Sequence, residues 1–268
     1  MNKLITLTTD FGLTDEYVGV MKGVIYNLAP NTQIIDLCHG IEPQNIAQAA
    51  YLINSSTRYF SDNTIHIVVV DPGVGGNRRL ILIRARKQLF LAPDNGVLTL
   101  LLNNKDFEFA RAITNKELFT KPTSQTFHGR DILAPIAAHL ATGATAEKIG
   151  PLVNYNSLTQ LNLAPTIISE SRKIMGTVIQ VDRFGNLITN IERPIIQRLI
   201  KTKHINKITV TIGSKTFTNH TDCYDEALPG ELLSLFGSRG YLEISLNQGN
   251  AAKFLGISLG EIVELQID

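Results

Sequence analysis

Hydrophobic positions change period along this chain, and the changes mark out its parts. Leu4 to Thr8 alternates apolar and polar residues, which predicts a strand running into the acidic loop Thr9-Asp10-Phe11-Gly12-Leu13-Thr14-Asp15. Val18, Met21, Val24 or Ile25, and Leu28 then recur at helical spacing, with Thr14 or Asp15 as the expected N-cap and Pro30 near the end. Gln33 to Leu37 predicts a second strand, and Pro43 is expected to open a helix presenting Ile46, Ala49, Ala50 and Ile53 on one face. Ile67 to Val70 is apolar without alternation, the pattern of a strand buried on both faces of a parallel sheet. It stops at Asp71, where Pro72 cannot extend a central strand and Gly73, Gly75 and Gly76 permit a tight turn. Leu80 to Arg84 and Leu89 to Ala92 predict two short strands, Val97 to Leu102 a short helix, and Ile132 to Leu140 a helix closed by Gly143. Pro135 fits that helix only near its start.

Periodicity lapses from Asn154 to Arg172, which is the expected linker, and then changes character. Gly176 to Val181, Leu187 to Ile191, Ile208 to Ile212, Lys215 to Thr218, Leu232 to Phe236, Tyr241 to Leu246 and Glu261 to Ile267 read as strands with few helices between them. The expected architecture is an α/β domain with a mostly parallel central sheet over residues 1–165, followed by a smaller all-β, antiparallel barrel-like domain over 172–268.

Composition narrows the function classes. A formal net charge of +1, with 25 basic residues spread along the chain, gives no electrostatic footprint for nucleic acid or a membrane surface. The amino terminus turns acidic too early for a signal peptide and no segment is long and apolar enough to span a bilayer, so a cytoplasmic protein is expected. Cys38 and Cys223 have no Cys-x-x-Cys spacing and are expected to be buried small hydrophobes.

Familiar motifs are missing. Gly73-Val74-Gly75-Gly76 lacks the Lys-Ser/Thr of a phosphate loop and does not match the dinucleotide fingerprint. The six histidines show no metalloprotease spacing, and there is no Gly-x-Ser-x-Gly elbow. His66 and His139 lie inside apolar elements, as satisfied structural histidines do. What remains are polar residues at strand-to-loop junctions: Asp10, Asp15, Asp71 with Arg78 and Arg79, Asn95, and His128 with Arg130 and Asp131. Each alone is also the pattern of a cap or a surface ion pair. Together they occupy the positions where an open α/β sheet builds its crevice, and His128 would precede a helix amino terminus suited to a polar ligand. Asp182, Asn186 and the Gly237-Ser238-Arg239-Gly240 stretch equally fit hairpin turns bonded to local backbone.

Several motifs carry a resemblance that covers nearly the whole chain in order. Thr9-Asp10-Phe11-Gly12 with Asp15-Glu16-Tyr17-Val18-Gly19, His39-Gly40-Ile41-Glu42-Pro43-Gln44, Val70-Asp71-Pro72-Gly73-Val74-Gly75, Ala92-Pro93-Asp94-Asn95-Gly96, Thr126-Phe127-His128-Gly129-Arg130-Asp131, Phe184-Gly185-Asn186-Leu187-Ile188-Thr189-Asn190 and Ser238-Arg239-Gly240-Tyr241-Leu242 are similar to the S-adenosylmethionine hydroxide adenosyltransferase family, the hydrolase branch related to the fluorinase and chlorinase. The resemblance implies an α/β domain, a β-barrel domain, and a homotrimer with substrate between neighbouring subunits. It implies conversion of S-adenosylmethionine and water to adenosine and methionine, with no cofactor and no metal. The water-activating roles fall on Asp71, Arg78 and His128, the ribose role on Asp10, and the methionine end on Asp182 and Asn186. Ser238 and Arg239 are the matching second-domain residues, and backbone near Leu246 faces adenine. Tyr17 stands where the fluorinase has a Ser. The halogenating relatives carry Tyr in place of the Asp and of the His, and a long insertion where this chain has only Ala85 to Gln88. Both differences point to water as the nucleophile.

Two rival readings follow from the same residues. A non-catalytic sensor of adenosine or S-adenosylmethionine would need the pocket but not Asp71, Arg78 and His128. A halogenase would form 5′-chloro-5′-deoxyadenosine in the presence of chloride.

Overall fold

The computed structural model describes residues 3–102, 105–164, 166–168, 173–200 and 207–267. The chain divides into two compact units, one ending at Leu161 and the other beginning at Asn162. Residues of the aperiodic stretch up to Leu161 pack on the first unit: Leu158 is buried in its core, and the Thr159 and Leu161 N–H groups donate to Asp94 and Thr99. Pro165 and residues 169–172 of that stretch lie outside the described residues.

The first unit is built on six strands: β1 (Leu4–Thr9), β2 (Gln33–Cys38), β3 (Ile65–Val69), β4 (Leu80–Ala85), β5 (Gln88–Pro93) and β6 (Phe107–Ala112). Their order is β2-β1-β3-β5-β4-β6, with β2, β1, β3 and β5 parallel and β4 antiparallel to both its neighbours. Helices α1 (Tyr17–Leu28), α2 (Ile46–Ser56), α3 (Thr99–Leu102) and α4 (Ala134–Ala141) cover it. The unalternating central strand behaves as its pattern requires. Ile67 and Val69 enter one core with Met21 and Ile25 of α1 and Ile136 of α4, whereas Val68 and Val70 enter another with Ile53 of α2 and Leu101 of α3. β1 has β2 on one side and β3 on the other, so the chain reverses its winding there and leaves a crevice beyond the carboxyl ends.

The second unit is an antiparallel, nearly closed barrel-like sheet. It comprises β7 (Ile167–Ile168), β8 (Lys173–Val181), β9 (Leu187–Glu192), β10 (Ile208–Ile212), β11 (Lys215–Phe217), β12 (Leu232–Phe236), β13 (Tyr241–Leu246) and β14 (Ile262–Ile267). The long β8 pairs with β14 through its first half and β9 through its second, which lets one sheet curl around a single core containing Ile174, Leu187, Val210, Leu242 and Val263. Among the described residues, the α-helices α5 (Arg193–Ile200) and α6 (Ala251–Leu255) lie between strands.

The structure corrects several expectations. α2 begins at Ile46 rather than Pro43, because Gln44 takes a left-handed backbone (φ 66) and Asn45 caps the helix by accepting from the Gln48 N–H at 2.9 Å. Glu16, not Thr14 or Asp15, stands at the N-cap of α1, with no side-chain cap bond. The segment before α4 is a π-turn over Gly129–Leu133, which places Pro135 in the first turn of the following α-helix, where its missing N–H costs nothing. β6, α5 and α6 were not predicted. Cys38 is half-buried and Cys223 is exposed, so the expectation that both are buried fails.

His66 is fully buried between Thr6, whose hydroxyl lies 2.7 Å from its Nδ1, and Phe90, on which its ring stacks at 4.7 Å. Burial pushes its pKa down to about 4. The folded protein therefore holds a neutral imidazole that the unfolded chain protonates below its ordinary value of 6.5. Stability is full above that value and falls as pH drops toward the folded pKa, by about 3 kcal/mol in total from this group. Urea denaturation between pH 7 and pH 4.5 should show the loss. In His66→Leu this contribution to the pH slope should vanish, leaving a pH-independent penalty from the unpaired Thr6 hydroxyl.

Candidate functional site

Two clefts, one in each unit, gather the predicted polar residues. The first, of about 420 Å³, lies beyond the carboxyl ends of β1 and β3 and is lined by Asp10, Phe11, Tyr17, Gln44, Asp71 and His128, together with neighbouring loop residues. Adjacency of the two strands, with Thr9 paired to Val69, delivers Asp10 and Asp71 to the same edge. Asn95 closes the end of β3 by donating from Nδ2 to the Val70 carbonyl at 2.8 Å. Gly75 is required where it stands: its φ is +79°, and a Cβ there would come within 2.5 Å of the Gln125 carbonyl oxygen.

Arg78 joins two of the titratable groups on this cleft, Asp71 and His128. Its Nε donates to both Asp71 oxygens at 2.9 and 3.0 Å, and its Nη2 donates to Asp71 Oδ2 and lies 2.9 Å from His128 Nδ1. The carboxylate and guanidinium side chains are 6% and 11% exposed, so the pair is withdrawn from free solvent; Asp71 and His128 line the cleft, and Arg78 is not among its lining residues. A guanidinium has only donors, so His128 Nδ1 must accept and the neutral ring carries its proton on Nε2. Burial first and Arg78 second pull the His128 pKa below its ordinary value, while Asp71 and Asp131 pull it the other way.

Local structure holds His128 in place. Asp131 is fully buried in the π-turn, accepts from the Ser124 N–H at 2.8 Å, and is clasped by Arg130 at 2.6 and 2.8 Å. Burial alone would raise its pKa, but Arg130 and the Ser124 N–H hold the carboxyl below the usual range. Arg130 and Asp131 thus serve each other, and Arg130 also lies over the Phe127 ring at 5.1 Å. Arg79 points away to a different partner, donating to Asp94 from Nε at 2.9 Å and Nη2 at 2.6 Å. Asp15 was another junction candidate, but it does not line the cleft.

Sequence reasoning did not single out the aromatic wall. Phe11, Tyr17 and Phe127 meet with ring centroids 5.3–5.8 Å apart in tilted and edge-to-face contacts, giving the cleft an apolar aromatic side. Their spacing in sequence offers no signal; only the loop after β1 and the turn before α4 bring them together.

The second cleft, of about 830 Å³, is lined by Asp182, Asn186, Ser238, Arg239 and Leu246, all five of the predicted second-domain residues. The local-turn reading of the first pair is also correct in geometry. Asp182 Oδ1 accepts from the Phe184 and Asn186 N–H groups at 2.9 Å, and Asn186 Nδ2 donates to Asp182 Oδ2 at 3.0 Å. Arg239 donates to Gln180 Oε1 at 2.6 Å. Tyr224 and Glu243 are among the lining residues that went unpredicted. The Tyr224 hydroxyl donates to Glu243 Oε1, which also accepts from Ser245 at 3.0 Å, and burial followed by that carboxylate pushes the phenol pKa up. A Glu inside the apolar run Tyr241 to Leu246 was the available signal.

Among the described residues no group of three or more His, Cys, Asp or Glu side chains is gathered in a way that could hold a metal ion. Nor is any helix among them long and apolar enough to cross a membrane.

Comparison with known proteins agrees across both units. Residues 5–150 match the SAM hydroxide adenosyltransferase N-terminal domain and residues 176–264 the corresponding C-terminal domain. The chain is 34% identical over 261 residues to an (R)-S-adenosyl-L-methionine hydrolase of Salinispora tropica, covering 96% of this chain and 95% of the relative. It is 35% identical over 264 residues to an enzyme of the same name from Thermus thermophilus, covering 96% and 97%. A crystal structure of an uncharacterized conserved protein from Thermotoga maritima superposes with a TM-score of 0.91 at 37% identity, covering 98% of this chain and 99% of that one. With both domain types matched in order and full-length relatives above 30% identity, the chain belongs to the SAM hydroxide adenosyltransferase family.

Proposed function

We propose that this protein hydrolyses S-adenosyl-L-methionine to adenosine and L-methionine. The observation that carries the reading is Arg78 bridging Asp71 and His128 on a cleft with an aromatic wall, in a chain whose full-length relatives at 34–35% identity are named hydrolases of that substrate.

The chemistry asks little of the leaving group. Attack of water oxygen on the ribose 5′-carbon forms the C–O bond as the C–S bond breaks, and the sulfonium departs as neutral methionine thioether. It needs no proton. The water must lose one, and the hydrogen bonds around Arg78 favour Asp71 as acceptor: in the neutral ring His128 Nδ1 is occupied by Arg78 and Nε2 carries its own hydrogen. His128 then orients the attacking oxygen as a donor. Arg78 supplies positive charge behind both groups and stabilises the negative charge that develops between them. Asp10 takes the ribose hydroxyls, and Asp182, Asn186, Ser238, Arg239 and backbone near Leu246 serve the methionine and adenine ends. The functional unit in this reading is a homotrimer with each site at a subunit boundary, and the reaction uses no metal or cofactor.

Purified protein incubated with S-adenosylmethionine should release adenosine, identified by mass spectrometry, at a rate unaffected by chelator. Adenine, S-adenosylhomocysteine or, with chloride present, 5′-chloro-5′-deoxyadenosine would contradict the reading. Sedimentation should give a trimer; a monomer with full activity would contradict the subunit-boundary site.

Arg78→Ala should lower kcat by about two orders of magnitude, the scale of one preorganised donor, with adenosine affinity changed little. Arg78→Lys should recover only part, because an ammonium cannot reproduce the fork. Arg79→Ala should leave kcat near wild type and instead cost about 2 kcal/mol of stability, since it abandons the buried Asp94 carboxylate. The pH profile supplies a further check. His128 must be neutral to accept from Arg78, and its pKa is lowered, so kcat should stay flat down to the ordinary imidazole value of 6.5 and fall only below it. In Arg78→Ala nothing is left for Nδ1 to accept from, and a protonated His128 still donates from Nε2, so this acid limb should be lost.

A further inference from the structure

The wall of the first cleft that carries Asp10 rests on a buried histidine that the reaction does not use. Thr9 is fully buried and His39 is 6% exposed. The Phe11 N–H donates to Thr9 Oγ1 at 3.2 Å, and Thr9 Oγ1 lies 2.9 Å from His39 Nδ1. The His39 carbonyl accepts from the Gly12 N–H at 2.8 Å, and Asp10 Oδ2 accepts from the Gln44 N–H at 2.8 Å. The loop after β1 and the loop after β2 are thereby tied together, and His39 holds them through both its side chain and its backbone. Asp10, Phe11 and Gln44 line the cleft; Thr9 and His39 stand behind them.

The bonds have a direction. The Phe11 N–H already donates to the Thr9 oxygen, so the hydroxyl hydrogen is free to go to His39 Nδ1, which then accepts with its lone pair. The imidazole proton is left on Nε2, which lies 3.0 Å from Asp36 Oδ1, close enough for attraction though out of line with the ring N–H. Asp36 is paired in turn with Lys22 of α1 at 2.6 Å. A carboxylate beside Nε2 favours this tautomer, the one that suits Thr9.

We propose that Thr9 and His39 form a positioning pair that fixes the Asp10–Phe11 wall for the nucleoside, acting on substrate affinity rather than on the attack of water. The inference rests on the reading of Asp10 as the ribose contact. Neither residue touches substrate.

The test uses full-length protein and two readouts. Adenosine titration calorimetry and steady-state kinetics with S-adenosylmethionine should show Thr9→Val raising the adenosine Kd and the KM by about tenfold, the loss of one hydrogen bond's worth of order, with kcat within about threefold of wild type. Thr9→Ser, which keeps the hydroxyl, should restore both. His39→Asn places an acceptor near the Nδ1 position and should retain affinity, whereas His39→Leu should lose it as Thr9→Val does. Amide hydrogen exchange at Phe11 reads the pair without any ligand and should be faster in Thr9→Val and His39→Leu than in the conservative variants. A folded Thr9→Val protein with wild-type adenosine affinity and unchanged Phe11 exchange would overturn the proposal, as would a loss confined to kcat. If the wild type neither bound adenosine nor hydrolysed S-adenosylmethionine, the functional reading would fall, and Phe11 exchange would still decide whether the pair positions the loop.

Discussion

One guanidinium shared between a carboxylate and an imidazole sets the logic of this site. Arg78 can only donate, so its contact with Nδ1 decides the tautomer of His128, and its grip on both Asp71 oxygens decides where that carboxylate lies. The pair is nearly buried, which strengthens the interaction and makes its loss costly. Three features of the first unit bring these residues to one place. β3 delivers Asp71, the turn after it returns Arg78 seven residues later, and the π-turn before α4 presents His128.

The two clefts differ in chemistry. The first combines a charged edge with an aromatic wall, and the second combines Asp182, Asn186 and Glu243 with Arg239. The proposed substrate has a planar base, a ribose diol and a zwitterionic end, each of which needs a different partner. The clefts also differ in how they are held. Side chains bonded between strand ends organise the first, whereas short local turns, such as Asp182 accepting from Phe184 and Asn186, organise the second.

Much of this was legible in the sequence, for reasons particular residues make plain. The unbroken run Ile67 to Val70 has the pattern of a strand covered on both faces, which it is, and Asp71 at its end was expected at the crevice together with the other junction residues, though alone it also fitted a cap. Tyr241 to Leu246 and Leu232 to Phe236 have the strand limits their patterns suggested. The π-turn was not legible, because it depends on Asp131 being buried and bonded to Ser124, a contact no local pattern encodes. The start of α2 was misplaced for a similar reason: Pro43 signals a helix, but the left-handed Gln44 is held by Asp10 from another loop. Cys223 read as a small hydrophobe, yet it sits in an exposed turn. At the first two of these places a side-chain bond from outside the local pattern overrides local preference, and both border the first cleft.

The central claim is that water attacks the ribose 5′-carbon, and isotope tracing tests it most directly. Turnover of S-adenosylmethionine in water enriched with oxygen-18, followed by mass spectrometry of both products, should place one labelled oxygen in adenosine and none in methionine. Unlabelled adenosine, or label recovered in methionine, would contradict the account.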